Sequence, residues 1–356
     1  FAALEPERKL RIGVLSDVHI AGASGELWKW RKALEHFRDV KVDAVVVAGD
    51  IANEGLIIEL EAFAKTWFEI FPGDKRPDGG KVERVFVLGN HDVGVWGGPK
   101  KRFITTDAEG KEVYDEAAHK KTLFLYNRER VWRELFNEEY SHFFAKNVKG
   151  YWFLGSHWRS GGTPKHDYEA VELPGYLQEH AAELGKTRPF FFVQHPHPKA
   201  TCHGIDAWWQ DCGKNTTEVL KEFPNAVCFS GHSHKPLTDA KAVWQGAFTS
   251  FGTGSLSYCS SLGDDPTPDI KCHAVTPEGH PYKMDCHDGY VIDVHEGFLA
   301  VRRMEFKSMK PLGDEWIVPV PVKPDPEFAF EPRKAARKPP AYKETPKVEI
   351  KTVRVK

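Results

Sequence analysis

Five groups of residues in this 356-residue chain carry side chains that bind metal ions. In chain order they are Ser16-Asp17-Val18-His19, Gly49-Asp50, Gly89-Asn90-His91-Asp92, Gln194-His195-Pro196-His197 and Gly231-His232-Ser233-His234. Carboxylate, amide and imidazole groups together suit Mn, Fe or Zn. Because seven or eight such ligands are too many for one ion, the set predicts two ions about 3.5 to 4 Å apart, bridged by one carboxylate and a solvent-derived hydroxide.

Short apolar runs precede these groups and are typical of buried strands. The runs are Arg11 to Leu15, Ala44 to Ala48, Val85 to Leu88, Tyr151 to Leu154, Phe190 to Val193 and Ala226 to Phe229. Helical spacing occurs between several of them, over Leu27 to Phe37, Ile57 to Phe68, Val131 to Phe144 and Thr216 to Phe223. This alternation predicts βαβ units, in which the polar groups meet at the carboxyl ends of the strands.

Beyond Ala242 the pattern changes to shorter β-like segments, which predict a second sheet. These segments are Val243 to Phe251, Tyr290 to Val294, Phe298 to Arg303 and Trp316 to Val320. Two sheets flanked by helices make a four-layer αββα sandwich. The predicted organisation is therefore an α/β domain over residues 1–310, with a C-terminal extension over residues 311–356 that is Pro-rich and basic and ends in a possible edge strand.

The ordered blocks D-x-H, G-D, G-N-H-D, H and G-H-x-H resemble those of the calcineurin-like metallophosphoesterase family, from Leu15 to His234. The resemblance implies the four-layer fold of that family. It also implies that one metal is held by Asp17, His19 and His234, the other by Asn90, His195 and His232, with Asp50 bridging both. His91 belongs to neither ligand set in the family. The resemblance implies that it faces the substrate phosphate as a general acid, with Asp92 orienting its ring.

Each block also has a simpler interpretation on its own. Asp17 or Asp50 alone would fit a helix N-cap, and the His232 to His234 stretch would fit a polar turn. The fourth block offers two histidines, His195 and His197, of which His195 directly follows the apolar run and is favoured as the ligand. Purple acid phosphatases in the same superfamily carry Tyr three residues after the bridging Asp. Asn53 occupies that place here, which argues against a purple enzyme.

The charge balance limits the partners of the protein. With 49 Lys and Arg against 51 Asp and Glu, the formal net charge is −2, so no global basic field would hold a nucleic acid nonspecifically. No apolar run approaches the roughly 18 residues of a membrane span. Any charged substrate must therefore be captured locally, and the family resemblance implies that this partner is a small phosphoester. The sequence indicates no oligomeric state.

Six cysteines, an even number confined to the second half of the chain, favour an oxidising compartment. We predict a secreted or periplasmic protein with a disulfide between Cys202 and Cys212, closing a loop that contains Trp208 and Trp209. Cys228 lies inside an apolar run and is expected to be a free thiol in the core. Reduced thiols in a cytosolic enzyme are the alternative.

These features lead to a functional hypothesis. The expected activity is dinuclear-metal-dependent hydrolysis of a phosphate monoester or diester by metal-bound hydroxide, with His91 as general acid. The alternative is a non-catalytic metal-binding protein with a structural site or a blocked cleft. The metal identity and the natural substrate are not indicated by the sequence.

Overall fold

A computed structural model describes residues 7–24, 27–94, 103–159, 168–202, 214–260, 283–285 and 287–323. Its strands are β1 (Leu10–Leu15), β2 (Ala44–Ala48), β3 (Glu83–Val87), β4 (Ile104–Thr106), β5 (Glu112–Tyr114), β6 (Phe143–Val148), β7 (Tyr151–Ser156), β8 (Phe190–Val193), β9 (Ala226–Ser230), β10 (Val243–Gln245), β11 (Thr249–Gly252), β12 (Tyr258–Ser260), β13 (Lys283–Asp285), β14 (Asp288–His295), β15 (Phe298–Glu305), β16 (Lys310–Pro311) and β17 (Trp316–Pro319).

Along the chain, most helices connect consecutive strands of the two large sheets. They are α1 (Leu27–Asp39), α2 (Ile57–Ile70), α3 (Asn90–Val93), α4 (Glu116–Thr122), α5 (Arg128–Phe136), α6 (Leu173–Glu179), α7 (Ala181–Leu184) and α8 (Lys214–Leu220). Short 3₁₀ helices cover Pro72–Asp74, Phe124–Tyr126 and Ala240–Ala242.

Within the described residues the first large sheet has seven strands, in the order β16-β15-β14-β1-β2-β3, with β17 also paired to β15. Strands β1, β2 and β3 are parallel, whereas β14 and β15 run antiparallel to their neighbours. The second sheet has six strands, in the order β10-β11-β9-β8-β7-β6. Strands β7, β8, β9 and β11 are parallel in it. Parallel strands therefore form one side of the first sheet and the centre of the second.

The two sheets pack face to face through alternate residues of their strands. Ala44 and Val46 of β2 belong to the same buried cluster as Val227 and Phe229 of β9. The intervening residues of β2 face the opposite way, into a second cluster that includes Trp30 of α1 and Phe63 of α2. Helices thus cover the outer face of a two-sheet core, and the predicted four-layer αββα sandwich is confirmed.

The prediction that the segments beyond Ala242 form the second sheet holds for Val243 to Phe251, which supplies β10 and β11, and was wrong for the segments that follow. The second sheet is built from residues 143–252, and β14 and β15 instead extend the first sheet. Ile12 of β1 pairs with Ile292 of β14 and with Ala44 of β2. Because β2 and β3 lie on one side of β1, its other edge would be open, and β14 covers it.

The predicted helix over Val131 to Phe144 is also corrected. Helix α5 ends at Phe136, and its C-cap Asn137 has φ 50° in the left-handed region. That conformation stops a helix, because the next residues can no longer follow the helical path. The apolar residues Phe143 and Phe144 therefore begin β6 instead.

The sheet continues past residue 310, the boundary predicted for the domain. Residues Trp316–Pro319 form β17, and Val318 pairs with Leu299 of β15. The basic arm and edge strand predicted near the C-terminus lie outside the described residues. The division into two segments stays a prediction. No helix in the described part of the chain is long and apolar enough to cross a membrane.

The predicted Cys202–Cys212 disulfide is not formed. Cys202 carries a free thiol that is fully buried, with Sγ 3.4 Å from Nδ1 of His197 and 3.6 Å from Oγ of Ser250. Its side chain therefore belongs to a polar network inside the fold, whereas Cys212, Trp208 and Trp209 lie outside the described residues. Cys228 is a free buried thiol, as predicted. Cys259 is disulfide-bonded.

Asp288 at the start of β14 makes stability depend on pH. Its carboxylate is buried and accepts a hydrogen bond from the Leu237 N–H at 3.1 Å, and burial raises its pKa from 3.8 to about 7. Since the folded-state pKa is the higher one, Asp288 contributes stability that is present below about pH 4 and is lost as the pH rises through about 7. Asp288→Asn keeps an acceptor oxygen but cannot ionise.

We therefore expect the melting temperature of the Asp288→Asn variant to exceed that of the wild type increasingly between pH 4 and 7. Above pH 7 the difference should level off, with the free energy of unfolding of the variant higher than that of the wild type by an amount on the order of a few kcal/mol. Thermal melts of both proteins across this range, with EDTA present, measure the difference. A difference in melting temperature that stays the same at every pH would contradict the role assigned to Asp288.

Candidate dinuclear metal site

Six of the seven predicted metal ligands converge where the parallel strands of both sheets end. They form two buried groups in which one ligand atom of each residue lies within 4.8 Å of those of the others. The first group is Asp17, His19, Asp50 and His234, and the second is Asp50, His195 and His232. The seventh predicted ligand, Asn90, is buried at the start of α3, next to His91, whose N–H donates to Oδ1 of Asp50 at 2.9 Å. The sequence blocks thus come together as predicted.

Asp50 is the carboxylate that belongs to both groups. Its Oδ2 lies 3.6 Å from Nε2 of His19 and 3.1 Å from Nε2 of His195. On the first side, Oδ1 of Asp17 lies 3.1 Å from Nε2 of His234. A carboxylate placed between two clusters can offer one oxygen to each of two ions and offset their repulsion.

Backbone carbonyls fix the direction of two imidazoles. Nδ1–H of His195 donates to the Ala48 carbonyl at 2.8 Å, and Nδ1–H of His234 donates to the Tyr258 carbonyl at 3.0 Å. Each bond occupies Nδ1, so Nε2 is the ring nitrogen that faces the cluster. This arrangement is the usual support of a histidine that ligates a metal.

The backbone of the site is held in an uncommon conformation. Five cluster residues have φ between 48° and 72°, in the left-handed region that residues other than glycine rarely adopt: Asp17, His19, Asp50, His232 and His234. Such strain costs about 1 to 3 kcal/mol per residue and is concentrated at functional sites. The surrounding fold therefore holds these residues in a strained backbone conformation, and this conformation brings their side chains into the cluster.

Electrostatics within the cluster keeps its carboxylates ionised. Burial opposes ionisation of Asp17, but the neighbouring His234 lowers its pKa to about 2. Burial likewise opposes protonation of His195, but the Asp50 carboxylate raises its pKa to about 9. For His232, burial and the nearby His195 lower the pKa to about 3, so this ring is neutral. The carboxylates and the His232 ring are thus in the forms that bind metal, whereas His195 would release its proton on binding an ion.

The side chains fit a pair of metal ions. Nε2 of His19 lies 3.2 Å from Nε2 of His234, and Nδ1 of His232 lies 3.2 Å from Nε2 of His195. Ring nitrogens that approach one another inside a buried cluster with two carboxylates form a mixed oxygen and nitrogen donor set, suited to Mn, Fe or Zn. The metal identity stays open.

The structure separates the two histidines of the fourth block. His195 belongs to the cluster, whereas both ring nitrogens of His197 lie 2.7 Å from serine hydroxyls, those of Ser230 and Ser233. The N-cap interpretation of Asp17 and Asp50 does not hold either, because α2 begins at Ile57 with Leu56 as its N-cap, and α1 begins only at Leu27.

The orienting role predicted for Asp92 is corrected. The ring of His91 is held by the Asn53 carbonyl, which accepts its Nδ1–H at 2.7 Å. The Asp92 carboxylate instead accepts backbone N–H groups of Ile51, Ala52 and Gly89 at 2.7 to 3.2 Å. It is fully buried, and burial together with the Asp50 charge raises its pKa to about 8. Asp92 thus joins the loops after β2 and β3, because its position inside α3 turns it toward their amides.

Sequence reasoning missed the backbone groups that orient the rings. The carbonyls of Ala48, Asn53 and Tyr258 each accept an imidazole N–H. A carbonyl has no side-chain signal, so no residue type at these positions could have indicated the contact.

Gly89 allows the Asp50 carboxylate to approach β3. A Cβ at position 89 would lie 2.2 Å from Oδ1 of Asp50 and 2.8 Å from Cδ2 of His195. Gly89→Ala should therefore displace the shared carboxylate and weaken metal binding about 10- to 100-fold, the usual effect of disturbing groups that support ligands. Metal titration of the EDTA-treated protein measures the affinity. Gly175→Ala in α6, where an added Cβ meets nothing within 4 Å, is the matched control, and equal affinities in the two variants would contradict the prediction.

The sequence profile of the calcineurin-like phosphoesterase family matches residues 10–236. That span contains both ligand groups and covers more than half of the chain. The chain therefore belongs to the calcineurin-like phosphoesterase family. A comparison with curated proteins gave no match.

Solved structures similar to this chain include metallophosphoesterase folds at low sequence identity. A dimetal phosphatase from Danio rerio is 11% identical, with 88% of this chain and 99% of that chain covered and a TM-score of 0.44. The phosphoesterase Yfce from E. coli is 11% identical, with 87% and 100% covered and a TM-score of 0.35. GAP50, described as the anchor in the inner membrane complex of Plasmodium, is 13% identical, with 89% and 90% covered and a TM-score of 0.48.

Proposed function

We propose that this chain hydrolyses a phosphate monoester or diester at a dinuclear metal site. The observation that supports this most directly is that Asp50 belongs to both buried ligand groups. Membership of the phosphoesterase family supports the reaction class. The ligands are proposed to be Asp17, His19 and His234 for one metal, Asn90, His195 and His232 for the other, with Asp50 shared.

When bound, the two ions supply Lewis-acid activation of the phosphoryl group and of water. The protein residues do the remaining work. The carbonyl of Ala48 orients His195, and that of Tyr258 orients His234, so both ligands are preorganised. His91 is proposed as the general acid that protonates the leaving oxygen. Its ring is half-buried and packs edge-on against His19 at 4.6 Å, so it borders the first ligand group without belonging to it.

A substrate panel with metal analysis tests the proposal. The purified protein, loaded in turn with Mn²⁺, Zn²⁺ and Fe²⁺, is assayed on p-nitrophenyl phosphate and bis-p-nitrophenyl phosphate while bound metal is quantified by elemental analysis. We expect about two ions per chain and turnover of at least one ester. Two bound ions without any turnover would favour the alternative, a metal-binding protein that is not an enzyme.

We also propose that the protein is secreted or periplasmic. The disulfide at Cys259 supports this, because such bonds persist in oxidising surroundings. The free thiols of Cys202 and Cys228 are both fully buried and so compatible with either compartment. Peptide mapping without reductant, on protein from its native compartment, tests the proposal. A freely alkylated Cys259 would contradict it.

A further inference from the structure

Glu59 is a buried carboxylate near the site that belongs to neither ligand group. It lies in the first turn of α2 and accepts three backbone N–H groups. Its Oε1 accepts from Gly22 at 3.0 Å, and its Oε2 accepts from Glu54 at 3.0 Å and from Leu56 at 3.1 Å. Among the described residues its carboxylate has no hydrogen bond or ion pair with another side chain. Its hydrogen bonds therefore act on the backbone.

The three N–H groups belong to the loops that follow β1 and β2. These loops carry His19 and Asp50, and they are joined further by Asn53, whose N–H donates to the Ile20 carbonyl at 3.0 Å. Asn53 is also the residue whose carbonyl accepts Nδ1–H of His91. The Glu59 carboxylate thus fixes the chain directly after Asn53 and ties it to the neighbouring loop.

The chemistry of the group explains why a carboxylate is needed. An ionised carboxylate only accepts hydrogen bonds, and its two oxygens can take all three N–H groups. A Gln at this position would present one oxygen and one NH₂. Either orientation of that amide sets a donor against at least one backbone donor, and leaving a buried N–H unpaired costs about 1 to 3 kcal/mol.

We propose that Glu59 is a positioning residue for His91. By holding residues 54 to 56, it keeps the Asn53 carbonyl where it can accept Nδ1–H of His91, and this bond directs Nε2 of His91 toward the substrate. The inference rests on the proposed function for the role of His91 as an acid, but the orientation of the ring can be measured without turnover.

The direct test is the tautomer of His91 in Glu59→Gln. In ¹⁵N-labelled protein the imidazole nitrogens report which one carries the proton, and the His91→Ala spectrum identifies the His91 signals. We expect a single tautomer protonated at Nδ1 in the wild type and in Glu61→Gln, an exposed Glu on the same helix. We expect a mixture in Glu59→Gln. An unchanged tautomer in Glu59→Gln would overturn the proposal.

The kinetic test compares an alkyl phosphoester with the p-nitrophenyl ester. Glu59→Gln should lower kcat for the alkyl ester by about 10- to 100-fold, the cost of a small misplacement, with KM and metal content unchanged. The nitrophenyl ester should be affected much less. Adding Glu59→Gln to His91→Ala should cause no further loss. Equal losses on both esters, or additive losses in the double variant, would overturn the proposal.

Two further outcomes are distinguishable. A wild type without turnover on any ester would remove the proposed function, while the tautomer measurement would still decide the role of Glu59. If Glu59→Gln does not fold, Glu59→Asp replaces it in both tests. This variant keeps the charge but shortens the side chain by one methylene. We expect from it the same change of tautomer and the same selective loss of kcat on the alkyl ester, both smaller in magnitude. Wild-type behaviour of Glu59→Asp in both tests would then count against the proposal.

Discussion

Replacement of Asp50 by Asn is expected to abolish phosphoesterase activity and to lower the occupancy of both metal positions together. The reason lies in how the carboxylate is held. Oδ1 of Asp50 accepts the His91 N–H at 2.9 Å, whereas Oδ2 faces His19 and His195. The new amide must keep its oxygen toward the N–H, which turns its NH₂ toward the ligands. The site then loses one negative charge and gains a donor where a metal would bind.

The effect on metal affinity should exceed the 10- to 100-fold typical of residues that only support a ligand. Elemental analysis after dialysis and turnover of the nitrophenyl esters measure the two losses. Asp39→Asn is the matched control, because Asp39 is exposed and its carboxylate contacts only the Arg38 side chain among described residues. Loss of one metal alone would show that Asp50 serves a single ion. Two metals at full occupancy with normal turnover would contradict the shared role altogether.

The convergence of the site could be predicted from the sequence because of where its residues lie. Asp50 lies two residues after Ala48, the last residue of an internal parallel strand in which every residue is buried. His195 follows Phe190–Val193 in the same way. The carboxyl ends of such strands meet at one edge, so the position in sequence already implies the position in space.

The arrangement of the C-terminal strands could not be predicted in the same way. The hydrophobic pattern of the β14 segment would be the same in either sheet, so it does not identify the partner strand. The pairing of β14 depends instead on the open edge of β1, which lies about 280 residues earlier in the chain. The ring partners were equally hidden, since the carbonyl of Asn53 holds His91 and the acidic neighbour Asp92 does not. Sequence adjacency suggested Asp92, but one helical turn directs its carboxylate to the backbone of other loops.

The surroundings of Cys202 could not be predicted from the spacing of the cysteines either. Its ten-residue distance from Cys212 favoured a disulfide, yet its thiol lies within the polar network of His197 and Ser250. Spacing describes how short a loop would be, but it carries no information on which way a side chain points. The burial of Cys202 is decided by tertiary packing against β9 and β11.

Replacement of His91 by Ala should affect substrates unequally according to their leaving groups. An alkoxide must be protonated as it departs, whereas p-nitrophenolate leaves without help. The structure supports an acid at this position, because the Asn53 carbonyl accepts Nδ1–H and the ring packs edge-on against His19, at the border of the first ligand group. We expect turnover of an alkyl phosphoester to fall by about 10² to 10⁴-fold, the usual contribution of a positioned acid.

Three measurements on His91→Ala decide its role together. Turnover of the nitrophenyl ester should fall far less than that of the alkyl ester, and elemental analysis should find both metals retained, since His91 belongs to neither ligand group. His295→Ala is the control, because His295 lies at the opposite end of the sheet, where β14 pairs with the beginning of β1. Equal losses on the two esters would mean that His91 positions the phosphate instead of donating a proton, because binding contributes alike to both substrates. Loss of a metal would mean that His91 supports the ligand set itself, since a proton donor outside that set can be removed without opening a coordination position.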